Sequence, residues 1–201
     1  MLMLLDDIEK WLKEGTEDAQ DLVDLPWNVE REGNALVAQH PKIPFILNVM
    51  EDENFIRLRV YTGIETAIEE LKERLRIIRA LMILNGGVDY LKFALEGINE
   101  EVVLQVDLGK KYFNKGMFED SIASILTGMY MMVKALDMEE EFRDELFARL
   151  VGMVKERLNE GASRDDLIKF LTKRVGLNKK DAEQVVDEIM KSMNKDVKGY
   201  M

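Results

Sequence analysis

The apolar residues of this chain change period along its length, and no other feature limits the fold so strongly. Between Phe55 and Tyr61 they alternate. Ile56, Leu58 and Val60 fall on one side, and Phe55, Arg57, Arg59 and Tyr61 on the other. A period of two belongs to a strand with one buried face. Over residues 65–84 the step becomes three or four, through Ile68, Leu71, Leu75, Ile78 and Met82, as in an amphipathic helix. Period two returns at Leu91, Phe93 and Leu95 and again at Val102, Leu104, Val106 and Leu108, and the helical period at 117–137. A chain that switches in this way reads as α+β: an antiparallel sheet of about five to six strands with helices packed on one face.

The flanking segments complete the pattern. Leu5, Ile8, Trp11 and Leu12 share a helical face over residues 3–14, which Gly15 ends. The acidic polar side of that helix suits docking on a core better than lying on a lipid surface. Residues 16–25 show no clear period. Trp27–Arg31 and Asn34–His40 flank a turn at Glu32-Gly33, Pro41 to Pro44 breaks the run, and Phe45–Met50 is the next strand. Thr62 stands three residues before Glu65, the spacing of a capping box, and so begins the helix at 65–84; Asn85-Gly86-Gly87 ends it. In 117–137, Phe118, Ile122, Ile125, Leu126, Met129, Met132, Val133 and Leu136 cover more than half the circumference. A helix so apolar is buried on more than one side. Met129, Met132, Val133 and Leu136 are therefore expected to meet a second subunit.

The rest is helical. Phe142, Leu146, Phe147, Leu150, Val154 and Leu158 mark residues 139–160. Ser163 before Asp166, and Asn178 before Asp181, have N-cap spacing and start helices at about 164–175 and 179–194. Leu167, Ile168 and Leu171 line the first; Ala182, Val185, Val186, Ile189 and Met193 line the second. Lys195–Met201 reads as a loose tail. The expected organisation is an α+β domain over 1–138 and a three-helix C-terminal module over 139–201.

The order helix, about four strands, helix, two strands, helix resembles the type III secretion chaperone-like fold, shared with YbjN-like proteins and archaeal relatives. The carriers are Ile8-Glu9-Lys10-Trp11-Leu12, the strand ending Ile56-Arg57-Leu58-Arg59-Val60-Tyr61, the helix from Ala67 to Leu84, the Leu91–Asp107 hairpin and the closing helix. The resemblance covers the first 138 residues and implies a dimer that binds other proteins without catalysis.

Chemistry is excluded more readily than assigned. The chain has no cysteine and one histidine, His40, which removes thiolate and multi-histidine metal sites and a cysteine nucleophile. His40 reads as a hydrogen-bonded turn residue. The clusters Asp6-Asp7, Glu51-Asp52-Glu53 and Glu139-Glu140-Glu141 sit at helix starts and turns and read as solvated surface, since acid–base work by paired carboxylates needs enclosure. Gly86-Gly87 follows a helix, whereas a phosphate cradle precedes one. No cofactor is expected.

The net charge is −11, and residues 139–201 carry 13 basic and 14 acidic side chains, so nearly all the acidity belongs to the first domain. Such a surface repels phosphate backbones and anionic lipid. Lys110-Lys111-Tyr112-Phe113-Asn114-Lys115 is a basic-aromatic cluster, but a short one. The last two helices admit a helix-turn-helix reading through Arg164, Lys169, Lys173, Arg174, Lys179 and Lys180; Asp165, Asp166, Asp181, Glu183, Asp187 and Glu188 share those helices and count against it. Met1-Leu2-Met3-Leu4-Leu5 runs straight into Asp6-Asp7 without the basic start of a signal peptide, and no run reaches the roughly 20 apolar residues of a membrane span. A cytoplasmic protein is expected, without membrane contact. The expected function is non-enzymatic binding of another polypeptide, as a chaperone-like or adaptor dimer, with Phe55, Arg57, Arg59 and Tyr61 as partner-binding residues. The alternative is a nucleic-acid-associated factor that uses the C-terminal helices.

Overall fold

The computed structural model describes residues 4–198, with side chains through Ser192. Residues 1–3 and 199–201, within the expected tail, lie outside the described part, as does the Met193 side chain. The chain divides into two compact units, one ending at Glu139 and one beginning at Glu140.

The first unit is built on one six-stranded sheet in the order β1-β2-β3-β4-β6-β5. Its strands are β1 (Asn28–Glu32), β2 (Ala35–Gln39), β3 (Ile46–Glu51), β4 (Phe55–Glu65), β5 (Lys92–Glu96) and β6 (Glu101–Gly109). All neighbours pair antiparallel. The β1–β2 hairpin closes through Gly33 and Asn34, and Gly33 takes the positive φ of 62° that a two-residue turn demands. The alternation in β4 sets its facing: Ile56, Leu58 and Val60 are wholly buried, whereas Phe55 and Tyr61 stay exposed. Helices α1 (Leu4–Lys13) and α3 (Lys115–Ala135) pack on the inner face. Leu5, Ile8 and Leu12 of α1 are buried there, with Phe118, Ile122 and Ile125 of α3. Gly128 of α3 allows a close crossing, since a Cβ there would come 2.0 Å from Leu91 Cδ2. The segment without a clear period contains a 3-10 turn at Leu22–Asp24. The Glu119 carboxylate of α3 holds it, accepting hydrogen bonds from the Leu22 and Val23 N–H groups at 3.0 and 2.6 Å.

Two expectations for the helix after β4 need correction. The strand continues through Glu65, with its register shifting between Tyr61 and Glu65. Thr62 caps no helix: its hydroxyl donates to the Val102 carbonyl at 2.8 Å. A 3-10 turn at Thr66–Ile68 follows, and α2 runs only from Leu71 to Leu84. Thr66 and Ala67 N–H groups bond to the Glu100 and Asn99 carbonyls, and so prolong the pairing with the β5–β6 turn where a helix start was expected. The stripe also faces the other way. Ile77 and Leu81 are buried, while Leu71, Leu75 and Met82 are turned to water.

The second unit holds α4 (Glu139–Asn159), α5 (Arg164–Phe170) and α6 (Lys179–Lys198). Ser163 and Asp166 form a reciprocal capping box at the start of α5. A single π-helical turn, Leu171–Val175, prolongs α5, and Gly176 ends it at φ 91°. Asn178 Oδ1 accepts from the Asp181 N–H at 3.0 Å to start α6. Val154, Leu167, Ile168, Phe170, Leu171, Ala182, Val186 and Ile189 form the core. Of the α4 stripe only Val154 is buried, and Phe147 is exposed. Helix α6 extends four residues past the expected end at 194.

Candidate functional site

Helices α1 and α3 pack on the inner face of the first unit's sheet, and its outer face is open in part. Ile46, Met50, Phe55 and Tyr61 remain 46, 36, 39 and 44% exposed. Between them lies a lattice of ion pairs. Arg57 pairs with Asp52 (3.0 Å) and with Asp107 (3.4 Å), which stands opposite it on β6. Lys92 on β5 reaches the same Asp107. Arg59 donates two hydrogen bonds to Glu96, at 2.8 and 3.1 Å. Burial works to raise the Asp107 carboxyl, but hydrogen bonds from Lys92 and Gln105 and the charge of Arg57 hold it below the usual carboxylate range. Burial likewise opposes the charge of Arg59, yet a hydrogen bond with Tyr61 and the charge of Glu96 raise its pKa.

Phe55, Arg57, Arg59 and Tyr61 therefore do share one face. Their cations are already matched by the chain's own acids, however, so they are poor grips for a foreign carboxylate: each such contact would first have to displace a native one.

The residues expected at a subunit interface are elsewhere. Met129, Met132, Val133 and Leu136 are only 5, 2, 5 and 2% exposed within their own chain, which corrects that assignment. Their surplus apolar surface is used internally, since α2 covers the side of α3 that the sheet leaves free. Sequence reasoning missed the surface this creates. With Ile77 and Leu81 turned inward, α2 presents Leu71, Leu75, Met82 and Ile83 to solvent, next to Lys72, Arg76 and Arg79. A signal was available, because arginines interrupt the apolar pattern on that side.

The remaining candidates resolve into structural roles. His40 is wholly buried against Trp27; its Nδ1 accepts from the Lys42 N–H at 3.2 Å, and its Nε2 lies 3.8 Å from Glu17. Glu51 accepts from the Leu5 N–H at the start of α1 and pairs with Lys110 at 2.5 Å. Asp52 accepts from the Asn54 and Phe55 N–H groups, and these bonds hold its carboxyl below the ordinary range. In the basic-aromatic cluster, Phe113 stacks on Trp11, while Lys111, Tyr112 and Asn114 are exposed. In α5 and α6, Arg164 is held by Asp187 through two hydrogen bonds, at 2.7 and 3.0 Å. Among the described residues no group of three or more His, Cys, Asp or Glu could hold a metal ion, and no helix is long and apolar enough to cross a membrane.

Residues 7–136 match the model of a domain of unknown function, DUF8183. Residues 137–201 match a second model, HTH_78, also described as a domain of unknown function. No curated protein matches at a significant level. Among solved structures, YbjN from E. coli, described as a candidate transcription regulator, is similar with a TM-score of 0.44 and 14% identity, over 70% of this chain and 93% of that one.

Proposed function

The chain belongs to the DUF8183 family, and from that premise we propose that it is a non-catalytic binding protein, an adaptor or chaperone-like dimer that pairs through the outer face of its sheet. The observation that carries this reading is the charge pattern of that face. Arg57, Arg59 and Lys92 alternate with Asp52, Glu96 and Asp107, and half-exposed Ile46, Met50, Phe55 and Tyr61 surround them. A two-fold axis sets a patch against its own copy. A patch with both signs interleaved can meet itself without like-charge contacts, and its apolar rim is then taken from water. Phe55, Arg57, Arg59 and Tyr61 thus keep a binding role, with a second copy as the partner.

Sedimentation equilibrium tests the reading. The full chain should be a dimer at micromolar concentration, and Phe55→Lys with Tyr61→Glu should make it a monomer while its circular dichroism is unchanged. A wild-type monomer at that concentration would refute the pairing. Absence of catalysis is part of the same proposal: a turnover lost on changing one Asp or Glu would defeat it.

A second reading, nucleic-acid association through the C-terminal unit, is favoured by one observation. Helix α5 and its π-turn join α6 across Gly176, Leu177 and Asn178, a short glycine-containing turn of helix-turn-helix type, and the matching model carries an HTH name. The bonding of Arg164 to Asp187 and the acids Asp181, Glu183 and Glu188 on α6 work against phosphate contact. Fluorescence anisotropy of a labelled duplex with the full chain decides. Salt-sensitive binding with Kd of roughly 1–100 µM, the range of non-specific DNA binding, would favour this second reading.

A further inference from the structure

Helix α2 turns outward the residues that its pattern would place in a core. Ile68 in the preceding turn, and Leu71, Leu75, Met82 and Ile83, are 71, 70, 57, 65 and 67% exposed. At 3.6 residues per turn, Leu71, Leu75 and Met82 fall within an arc of about 40°. Arg79 and Lys72 lie immediately beside that arc, followed by Ile83 and Arg76. A shallow depression lined by Lys72, Leu75, Arg76, Arg79, Ala80 and Ile83 runs along this side.

The charge here is mostly positive, with Glu73 on the helix and Asp137, 3.8 Å from Arg76, as the acids that answer it. Helix α2 carries Lys72, Arg74, Arg76 and Arg79 against a single acid, Glu73. Arg74 is paired with Glu100 at 2.5 Å, and Arg76 with Glu73 at 2.6 Å. Lys72 and Arg79 form no ion pair with any described residue. On a chain of net charge −11, a basic rim around an apolar stripe is a local reversal.

We propose that this face is the docking site for an acidic amphipathic helix of a partner protein. The inference rests on the binding-protein reading and names the partner's chemistry. Leucine-type anchors at i, i+3, i+4 and i+7 would lie along Leu71, Leu75 and Met82, and glutamates beside them would meet Lys72 and Arg79. Charge argues against a second copy here. Antiparallel two-fold pairing of α2 would bring Lys72 of one copy next to Arg79 of the other, and like charges so placed repel. An anionic bilayer suits the helix but not the acidic domain that carries it.

The test uses the full chain and three probes. The first is a fluorescent synthetic helix with leucine anchors flanked by glutamates. The second is the same peptide with lysine for every glutamate, and the third is a set of phosphatidylserine-containing vesicles. The acidic peptide should bind, and the lysine peptide should bind at least about tenfold more weakly. Lys72→Glu with Arg79→Glu should weaken the acidic peptide about tenfold and reverse the preference; Leu71→Ser with Leu75→Ser should weaken both peptides. These side chains are exposed, so the variants should melt like the wild type. Failure of the acidic peptide to bind, equal binding of both peptides, or vesicle binding in preference to peptide overturns the inference. So does conversion of a wild-type dimer to monomer by Leu75→Ser, which would give the face to a second copy. Loss of dimerisation through the sheet, with peptide binding intact, would instead overturn only the pairing proposed above.

Discussion

The outer sheet face and the solvent side of α2 both leave apolar side chains in water, but they handle charge in opposite ways. On the sheet, each of these cations reaches an acid on another strand or turn: Arg57 has Asp52 and Asp107, Lys92 has Asp107, and Arg59 reaches across β6 to Glu96 on β5. On α2, Lys72 and Arg79 point the same way and form no ion pair with a described residue, although the charge of Lys72 is felt by Glu73. The difference follows from geometry. Residues across a strand pair stand about 5 Å apart, so a sheet can answer each charge locally. A helix answers its own charges only three or four residues away, and within α2 those positions about Lys72 and Arg79 hold Leu75, Arg76, Met82 and Ile83, while Glu69, three residues before Lys72, stands outside the helix. This contrast is the basis for proposing a second copy at the neutralised surface and an acidic partner at the mostly basic one.

The comparison breaks first within α2. Ile77→Ala should cost about 2–4 kcal/mol in denaturant unfolding, the range for removing a buried aliphatic side chain. Leu75→Ser, two residues away, should stay within about 0.5 kcal/mol. Equal costs would mean that the two sides of the helix are not distinct. A smaller effect concerns the sheet lattice. Asp107 has a lowered pKa, so its stabilisation is present above the ordinary carboxylate range and is lost as pH falls through the folded value. Asp107→Asn should therefore lower stability at neutral pH by about 0.5–1 kcal/mol. The deficit should shrink below about pH 4, where the unfolded carboxyl protonates; a deficit unchanged down to pH 2 would assign it to packing. The smallest effect is that of salt. Going from 0.1 to 1 M shortens the screening length from about 10 to 3 Å, which should leave the apolar rim of the sheet dimer nearly untouched and weaken the acidic peptide on α2 severalfold. Equal salt sensitivity at the two surfaces would erase the distinction.

The misread start of α2 shows where local reasoning stops. Thr62 and Glu65 have capping-box spacing, yet the Thr62 hydroxyl is taken by Val102 on β6, a partner 40 residues away. The ladder to β6, regular from Phe55 to Tyr61 and resumed at Glu65, outweighs one local cap. Met129, Met132, Val133 and Leu136 teach the same lesson from the packing side. Their pattern correctly requires cover on a second side of α3, but it cannot say whether a second subunit or α2 supplies it.

What the sequence determined by itself is the type of each element and the facing of each strand. The pleat is local, so the alternation from Phe55 to Tyr61 sends Ile56, Leu58 and Val60 to one side whatever packs there. The α+β class and the outward placement of Arg57 and Arg59 both followed from it. Which side of α2 is buried was decided only in three dimensions. Apolar residues occupy two arcs of that helix about 120° apart, Ile77 and Leu81 in one and Leu71, Leu75 and Met82 in the other, so its period supports either orientation. The choice fell to α3 and β5, which come later in the chain and bury Ile77 and Leu81 where they meet the helix. A helix takes its facing from whatever surface arrives beside it, whereas a strand carries its facing in its own backbone.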